Sequence, residues 1–185
     1  MKKIIVFDAG PVISLTLNNL LWVLEDLKKY FNGNFYVPMA VKHELIDKPL
    51  KTKKFKFEAL QIIPLISNGT FEIIHNDFIV SKTRYLVDLA NRCFKAKGNY
   101  IQIIQDGEME AVSTALYFKS DTIVVDERIT RMLIENPKDV KRTLERRLHT
   151  QIYVDKKNLN TFHEIVKHIK VIRSIELVTI AYELG

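Results

Sequence analysis

The sequence predicts an α/β fold with three layers, in which helices cover both faces of a central parallel sheet. Short apolar segments rich in β-branched residues alternate along the chain with longer segments whose apolar residues recur at helical spacing. This alternation is typical of parallel sheets, because the connection between two parallel strands usually contains a helix. The chain has 185 residues, of which 47% are hydrophobic and 27% charged, so we expect one folded domain over residues 1–185.

The individual elements are predicted from these patterns in chain order. The predicted strands are IIVFD at 4–8, FYVP at 35–38, FEIIHN at 71–76, DTIVVD at 121–126 and, as the last strand, QIYVD at 151–155. The predicted helices are 14–31 with Ser14 as its cap, 40–47, 83–96, 107–118, 127–135 up to Pro137, and two stretches after residue 155. The lysine-rich segment 47–58, which contains Pro49, is predicted as a loop or a frayed helix end.

Composition favours an acidic partner and a reducing environment. The net charge is +6 and the isoelectric point is about 9.3, which suits a nucleic acid as partner. Cys93 is the only cysteine, so the chain contains no intramolecular disulfide and no thiolate metal cluster, and a cytoplasmic location is expected. The N-terminal apolar run is too short for a signal peptide, and no segment has the roughly 20 apolar residues of a membrane span.

Acidic residues end two of the predicted strands. Asp8 follows IIVF and Asp126 follows TIVV. In open α/β sheets, ligands bind beyond the carboxyl ends of the strands, so these two acids are candidates for one site. Each acid also precedes a predicted helix, so a helix N-cap is the alternative role for either residue.

Three glutamates on predicted helices, Glu44, Glu108 and Glu110, differ in how they face the apolar side of their helix. When 107–118 is placed on a helix with 3.6 residues per turn, Glu108 lies within the apolar face and Glu110 on the opposite face, where we expect it to be exposed. A carboxylate on an apolar face is costly unless it is paired or bound to a cation. The alternative for Glu108 is a first-turn acid that favours the helix dipole and reaches solvent. Glu44 lies beside the apolar residues of its helix, and a partly exposed surface acid is its alternative role.

Four acids on separate elements favour a hard divalent cation, because Mg²⁺ and Mn²⁺ prefer oxygen ligands. The histidines lack the spacing of a zinc site, and the sequence contains no HExxH, CxxC, GxxxxGK[ST], GxGxxG or GxSxG motif. A phosphatase that forms an aspartyl phosphate is disfavoured, because such enzymes need an acid two residues after the first, where this chain has Gly10.

Three successive segments resemble the motifs of PIN-domain proteins, in particular archaeal and bacterial PIN-like ribonucleases. The segments are VFDAGPVISL at 6–15, VPMAVKHEL at 37–45 and DGEMEAVSTALYFKSDTIVVDERITR at 106–131. Residues 1–140 contain the match, whereas 141–185 are predicted as a C-terminal strand and helices that the family motifs do not cover. The resemblance implies a central parallel sheet of four to five strands.

The same resemblance implies a metal-dependent ribonuclease. Carried over by position, the metal-binding and catalytic residues are Asp8, Glu44, Glu108 and Asp126, with Glu127 as an alternative to Asp126, and Ser14 as a supporting residue. The implied cofactor is Mg²⁺ or Mn²⁺, and the implied substrate is RNA. Many relatives are toxins of toxin–antitoxin pairs, so an antitoxin protein and a homodimer are implied partners. A non-catalytic PIN-like module that binds RNA or a protein is the alternative.

Basic residues near these motifs are predicted to guide the RNA. One group consists of Lys51, Lys53, Lys54 and Lys56, interleaved with two phenylalanines, and Arg128 and Arg131 follow the last acidic motif. Basic side chains next to aromatic rings suit a single strand, whose phosphates pair with the charges while its bases stack. A second basic group lies after Pro137 and consists of Lys138, Lys141, Arg142, Arg146 and Arg147. For both groups an ordinary solvated surface is the alternative.

Overall fold

The computed structural model describes residues 3–52 and 54–184. The strands are β1 (Lys3–Phe7), β2 (Gly33–Pro38), β3 (Phe71–Ile74), β4 (Phe94–Ala96), β5 (Asn99–Tyr100), β6 (Thr122–Val124), β7 (Ile152–Val154) and β8 (Lys170–Ile172). The helices before residue 100 are α1 (Ala9–Leu17), α2 (Trp22–Phe31), α3 (Met39–Lys42), α4 (Lys48–Thr52), α5 (Lys56–Ser67) and α6 (Asp77–Asn91). A π-helical turn, His43–Asp47, joins α3 to α4. The later helices are α7 (Asp106–Phe118), α8 (Arg128–Glu135), α9 (Pro137–Leu148), α10 (Lys156–Val166) and α11 (Ser174–Leu184).

A five-stranded parallel sheet forms the centre of the fold, in the order β3-β2-β1-β6-β8. Successive residues of β1 point to opposite faces, as in any strand, and they join two different hydrophobic cores. Val6 packs with residues of α6, α7, α8, α9 and α10. Ile5 and Phe7 pack with residues of α1, α2, α5 and α11. The predicted three-layer α/β/α fold with a sheet of four to five strands is confirmed.

The predicted helix 14–31 is wrong at its start and in its middle. Asp8 caps α1, so the helix begins at Ala9 and Ser14 lies inside it. Asn19 then adopts a left-handed conformation, with φ of 56°, which ends α1 before α2 begins at Trp22. Asparagine tolerates this conformation better than most residues, and the leucine spacing continues across the break, which hides it in the sequence.

Other boundaries also differ from the prediction. Segment 47–58 contains α4 and the start of α5, and Pro49 lies in the first turn of α4, where proline is tolerated. The predicted helix 83–96 begins earlier, at Asp77, and its last residues form β4.

The C-terminal region contains a strand that the sequence did not reveal. The segment predicted as the last strand becomes β7, which pairs antiparallel with β4 in a separate small sheet. The fifth strand of the central sheet is β8 instead, which pairs parallel with β6. The residues of β8 lie between the two stretches after residue 155 that were predicted as helices, and the strand was missed although β6 and β7 are equally short. None of the helices in the described ranges combines the length and the apolar composition needed to cross a membrane.

Candidate carboxylate site

The strand order places the predicted acids at a point where α/β sheets commonly bind ligands. From β1 the chain builds β2 and β3 on one side and later returns to build β6 on the other. The connections therefore diverge between β1 and β6, and ligands bind at such a switch point, beyond the carboxyl ends of the strands. Asp8 follows β1 directly, and Asp126 lies two residues after the end of β6.

Asp8 is buried at this point, with 5% of its surface exposed. Its backbone N–H donates to the carbonyl oxygen of Val124 at 3.0 Å, which ties it to β6, and its carboxylate accepts from the backbone N–H of Gly10 at 3.4 Å. The pKa of the Asp8 carboxyl is raised to about 6, mainly because burial disfavours its charge and also because Glu44 and Asp126 repel it. Hydrogen bonds from the backbone of α1 oppose this rise in pKa. Asp8 therefore both caps α1 and interacts with the other acids.

Asp126 is held by two donors from different parts of the chain. Its Oδ2 accepts from the Ser14 hydroxyl at 3.0 Å, and its Oδ1 accepts from the backbone N–H of Ser174 at 2.8 Å. A Cβ on Gly10 would lie 3.5 Å from Asp8 Oδ2 and 3.7 Å from Asp126 Cβ, so Gly10 lies between the two acids. The Ser14 side chain therefore lies next to the acids rather than at a helix end.

If Asp126 is a metal ligand of a ribonuclease, as the resemblance to PIN-domain proteins implies, Ser14→Ala should lower RNA cleavage about 10-fold while the fold is retained, because residues that orient metal ligands typically contribute 10- to 100-fold. The measurement is the rate of RNA cleavage, with Ser67→Ala as the control, since the Ser67 hydroxyl only donates to a carbonyl of its own helix. Equal rates for the two variants would show that the bond from Ser14 to Asp126 does not support the activity.

Glu108 reaches the same region from the first turn of α7. Its Oε2 accepts from the backbone N–H of Gln105 at 3.0 Å, which completes a capping box, and from the Thr130 hydroxyl at 3.2 Å. Burial raises the pKa of the Glu108 carboxyl to about 7, and the charges of Asp8 and Glu127 add to the effect. Thr130 is fully buried and was not singled out in the sequence, because a threonine within a predicted helix gives no local sign of a contact with Glu108.

Glu44 and Glu127 complete the acidic group. Glu44 is exposed on the π-helical turn, a distortion often found at functional sites, and its Oε2 would lie 3.5 Å from a Cβ on Gly107. Glu127 caps α8, where its carboxylate accepts from the backbone N–H of Thr130 at 2.6 Å. Asp126 therefore interacts with Asp8, whereas Glu127 lies next to Glu108.

The carboxylate oxygens of the four acids are the kind of ligand that a divalent cation prefers, but they are not yet positioned to bind one together. Asp8 interacts electrostatically with Glu44, Glu108 and Asp126, and all of these side chains offer the oxygen ligands that Mg²⁺ and Mn²⁺ prefer. Within residues 3–52 and 54–184, however, no three His, Cys, Asp or Glu side chains converge closely enough to hold a cation as they stand. Metal binding therefore requires side-chain rotation, which the long, exposed side chain of Glu44 allows, whereas Glu108 would have to give up its hydrogen bonds to rotate.

Glu110 is buried, so its predicted exposure is wrong. It has 7% of its surface exposed, and its Oε2 accepts from the backbone N–H of Ala40 at 3.0 Å in the first turn of α3. Burial raises the pKa of its carboxyl. The prediction failed because α7 packs against α6, α3 and β1, so even Ser113 and Thr114 on its polar side are fully buried. Since α3 leads directly into the turn that contains Glu44, Glu110 supports the position of Glu44.

We expect Glu110→Ala to lower the free energy of unfolding by about 1–3 kcal/mol, because the N–H of Ala40 loses its acceptor in a partly buried place. Glu110→Gln should cost less, because the amide keeps one acceptor oxygen. Urea unfolding of both variants tests this, with Glu183→Ala as the exposed control. If Glu110→Ala unfolds at the same urea concentration as the control, the bond to α3 does not stabilise the protein.

The predicted basic residues differ in their surroundings. Lys51, Lys54, Lys56 and Arg128 are exposed, whereas Lys53 lies outside the described residues. Arg131 is partly buried, and its Nε has no hydrogen-bond partner in the described part of the chain.

Two cavities with different linings adjoin the acids. One, of about 290 Å³, is lined by Glu44 together with Lys48 and Lys54. The other, of about 430 Å³, is lined by Glu108 and Glu127 together with Arg147. Lys48 and Arg147 thus lie next to the acids, although Lys48 was not predicted to do so and Arg147 was placed in the basic group after Pro137.

A scan of the chain against models of known protein families and a search of curated proteins found no match.

Proposed function

We propose that this protein is a divalent-metal-dependent ribonuclease that hydrolyses phosphodiester bonds at the site of Asp8, Glu44, Glu108 and Asp126. The single observation that carries the proposal is that Asp8, at the switch point of the sheet, interacts electrostatically with three acids from other elements. Burial, and to a smaller extent repulsion between acids, raises the pKa of Asp8 to about 6 and that of Glu108 to about 7. Strongly shifted carboxyls in one cleft are typical of functional sites. The resemblance to PIN-domain motifs supports the choice of RNA.

In the proposed reaction, the cofactor and the protein side chains have different roles. When bound, Mg²⁺ or Mn²⁺ supplies a water of lowered pKa and stabilises negative charge on the leaving oxygen. The residues that would hold it are Asp8, Glu44, Glu108 and Asp126. Ser14 and the N–H of Ser174 fix the Asp126 carboxylate, and Thr130 donates to Glu108, so two of the four acids are oriented by neutral donors.

Basic side chains in both cavities suit a polyanionic substrate. Lys48 and Lys54 border the cavity beside Glu44, and Arg147 borders the cavity beside Glu108 and Glu127. A single strand that crosses the acids from one cavity to the other meets cations on either side, while the scissile phosphate lies at the carboxylates. Such charges attract RNA before any metal-dependent step, and their contribution falls with salt.

A non-catalytic module that binds RNA or a protein is the second candidate. The observation that favours it is that no three acidic, histidine or cysteine side chains in the described ranges converge closely enough to hold a cation without rotation. The toxin–antitoxin role and the homodimer stay predictions from the resemblance to the family.

Metal-dependent cleavage separates the two candidates. The experiment incubates labelled single-stranded RNA with the purified protein in Mg²⁺, in Mn²⁺ and in excess EDTA. We expect cleavage with either metal and none in EDTA, and activity should return when Mn²⁺ is added in excess of the chelator. RNA that binds but stays intact in every buffer would favour the non-catalytic module.

A further inference from the structure

The cavity beside Glu44 is a small, largely apolar recess next to the carboxylate site. Its volume is about 290 Å³, and its walls include Ile13, Pro49 and Ile62, with Lys54 and Phe55 towards α5. Glu44 also lines it, so the cavity and the acids share a side chain. Pockets for drug-sized ligands are roughly 300–1,000 Å³, so this recess suits one small ring system.

Phe55 has two features that suit a binding role. Its side chain is 52% exposed although it lines an apolar cavity. Its backbone adopts a left-handed conformation, with φ of 61° and ψ of 26°, which is rare for a bulky residue. Strained backbone of this kind clusters at binding and active sites. The Lys54 ammonium lies 5.2 Å from the centroid of the ring, so an aromatic surface and a cation stand together at the cavity.

We propose that this cavity binds one nucleobase of the RNA strand, next to the nucleotide whose phosphate reaches the acids. This inference rests on the proposed ribonuclease function. A base is flat and has π-faces that stack on an aromatic ring, and its attached phosphates need cations, which Lys48 and Lys54 supply. An apolar side chain of a protein partner would use the walls of the cavity but not these two lysines. The shared Glu44 then sets the distance between the bound base and the point of cleavage.

The test compares two strands that differ only in their bases. Fluorescence anisotropy measures the affinity of a labelled single-stranded oligoribonucleotide and of an abasic ribose-phosphate strand of equal length, both in EDTA so that no cleavage occurs. The variants are Phe55→Ala, Phe55→Trp as the rescue, and Phe57→Ala as the matched control. Phe57 is 70% exposed, lies two residues away and is not among the residues that line the cavity.

We expect Phe55→Ala to weaken binding of the strand with bases about 5- to 100-fold, the range typical of one lost stacking contact. Binding of the abasic strand should not change, Phe55→Trp should restore affinity, and Phe57→Ala should resemble the wild type. Equal losses on both strands, or wild-type affinity for Phe55→Ala, would overturn the base site. So would equal wild-type affinity for the two strands, which would make a protein side chain the better occupant.

Cleavage by the wild type distinguishes failure of the base site from failure of the ribonuclease proposal. If the wild type cleaves RNA in Mn²⁺ and Phe55→Ala binds as Phe57→Ala does, the base site alone is overturned. A wild-type protein that neither binds nor cleaves RNA would overturn both.

Discussion

Replacing Asp8 with asparagine should lower RNA cleavage at least about 100-fold, because a residue that holds the cation is worth more than the 10- to 100-fold typical of residues that only orient such ligands. Asp8 is the best choice for this test because it interacts with Glu44, Glu108 and Asp126. Asparagine is also a good N-cap, so α1 should keep its start. The measurement is the single-turnover cleavage rate in Mn²⁺.

Asp88→Asn is the matched control for this variant. Asp88 is exposed on α6 and pairs with Arg92 at 2.8 Å, so the substitution removes the same charge without touching the acids. Circular dichroism should show that both variants are folded. Cleavage by Asp8→Asn at the rate of Asp88→Asn would mean that Asp8 serves the fold alone.

The stability of the metal-free protein should fall as the pH rises from about 4 to 6. The pKa of Asp8 is raised from 3.8 to about 6 in the folded state, so the folded protein binds this proton more tightly than the unfolded chain does. Its stabilising contribution is therefore fully present below pH 3.8 and is lost as the pH approaches 6. The shift corresponds to about 3 kcal/mol at 1.36 kcal/mol per pH unit. Glu108, raised from 4.5 to about 7, extends the loss in the same direction.

Urea unfolding in EDTA at several pH values measures this dependence. Other carboxyls titrate in the same range, so the informative quantity is the difference between the wild type and Asp8→Asn. We expect that difference to grow in favour of the variant from pH 4 to 6, whereas Asp88→Asn should follow the wild type. Mn²⁺ added at pH 7 should stabilise the wild type, because the cation binds the folded state. A constant difference between the wild type and Asp8→Asn would contradict the raised pKa.

The parts of the fold that the sequence predicts best are those with strong local signals. β1 and β6 lie where apolar runs end in Asp8 and Asp126, and β2 and β3 are also where expected. By contrast, β8 lies between two helices and joins the sheet by pairing with β6, a contact that no local pattern encodes. The small sheet of β4, β5 and β7 likewise depends on pairing between distant segments.

In the candidate site too, the sequence predicted the features with local signals and missed those that depend on distant contacts. Asp8 and Asp126 followed from the position of acids after strands, whereas the position of Glu110 did not follow from helical periodicity. Periodicity assumes that a helix has one exposed face, but α7 is buried on several sides, so an acid on its polar face becomes an internal cap for α3. The bond from Ser14 to Asp126 joins residues 112 positions apart, which a single sequence does not reveal.

Metal binding tests the central claim most directly, because the proposed cleavage of RNA depends on it. Titration of Mn²⁺ into the wild type, Asp8→Asn and Asp88→Asn, followed by the electron paramagnetic resonance signal of the free ion, measures binding without any substrate. We predict that the wild type and Asp88→Asn bind Mn²⁺ and that Asp8→Asn binds it far more weakly. No binding by the wild type, or equal binding by all three proteins, would contradict the assignment of these four carboxylates as a metal site.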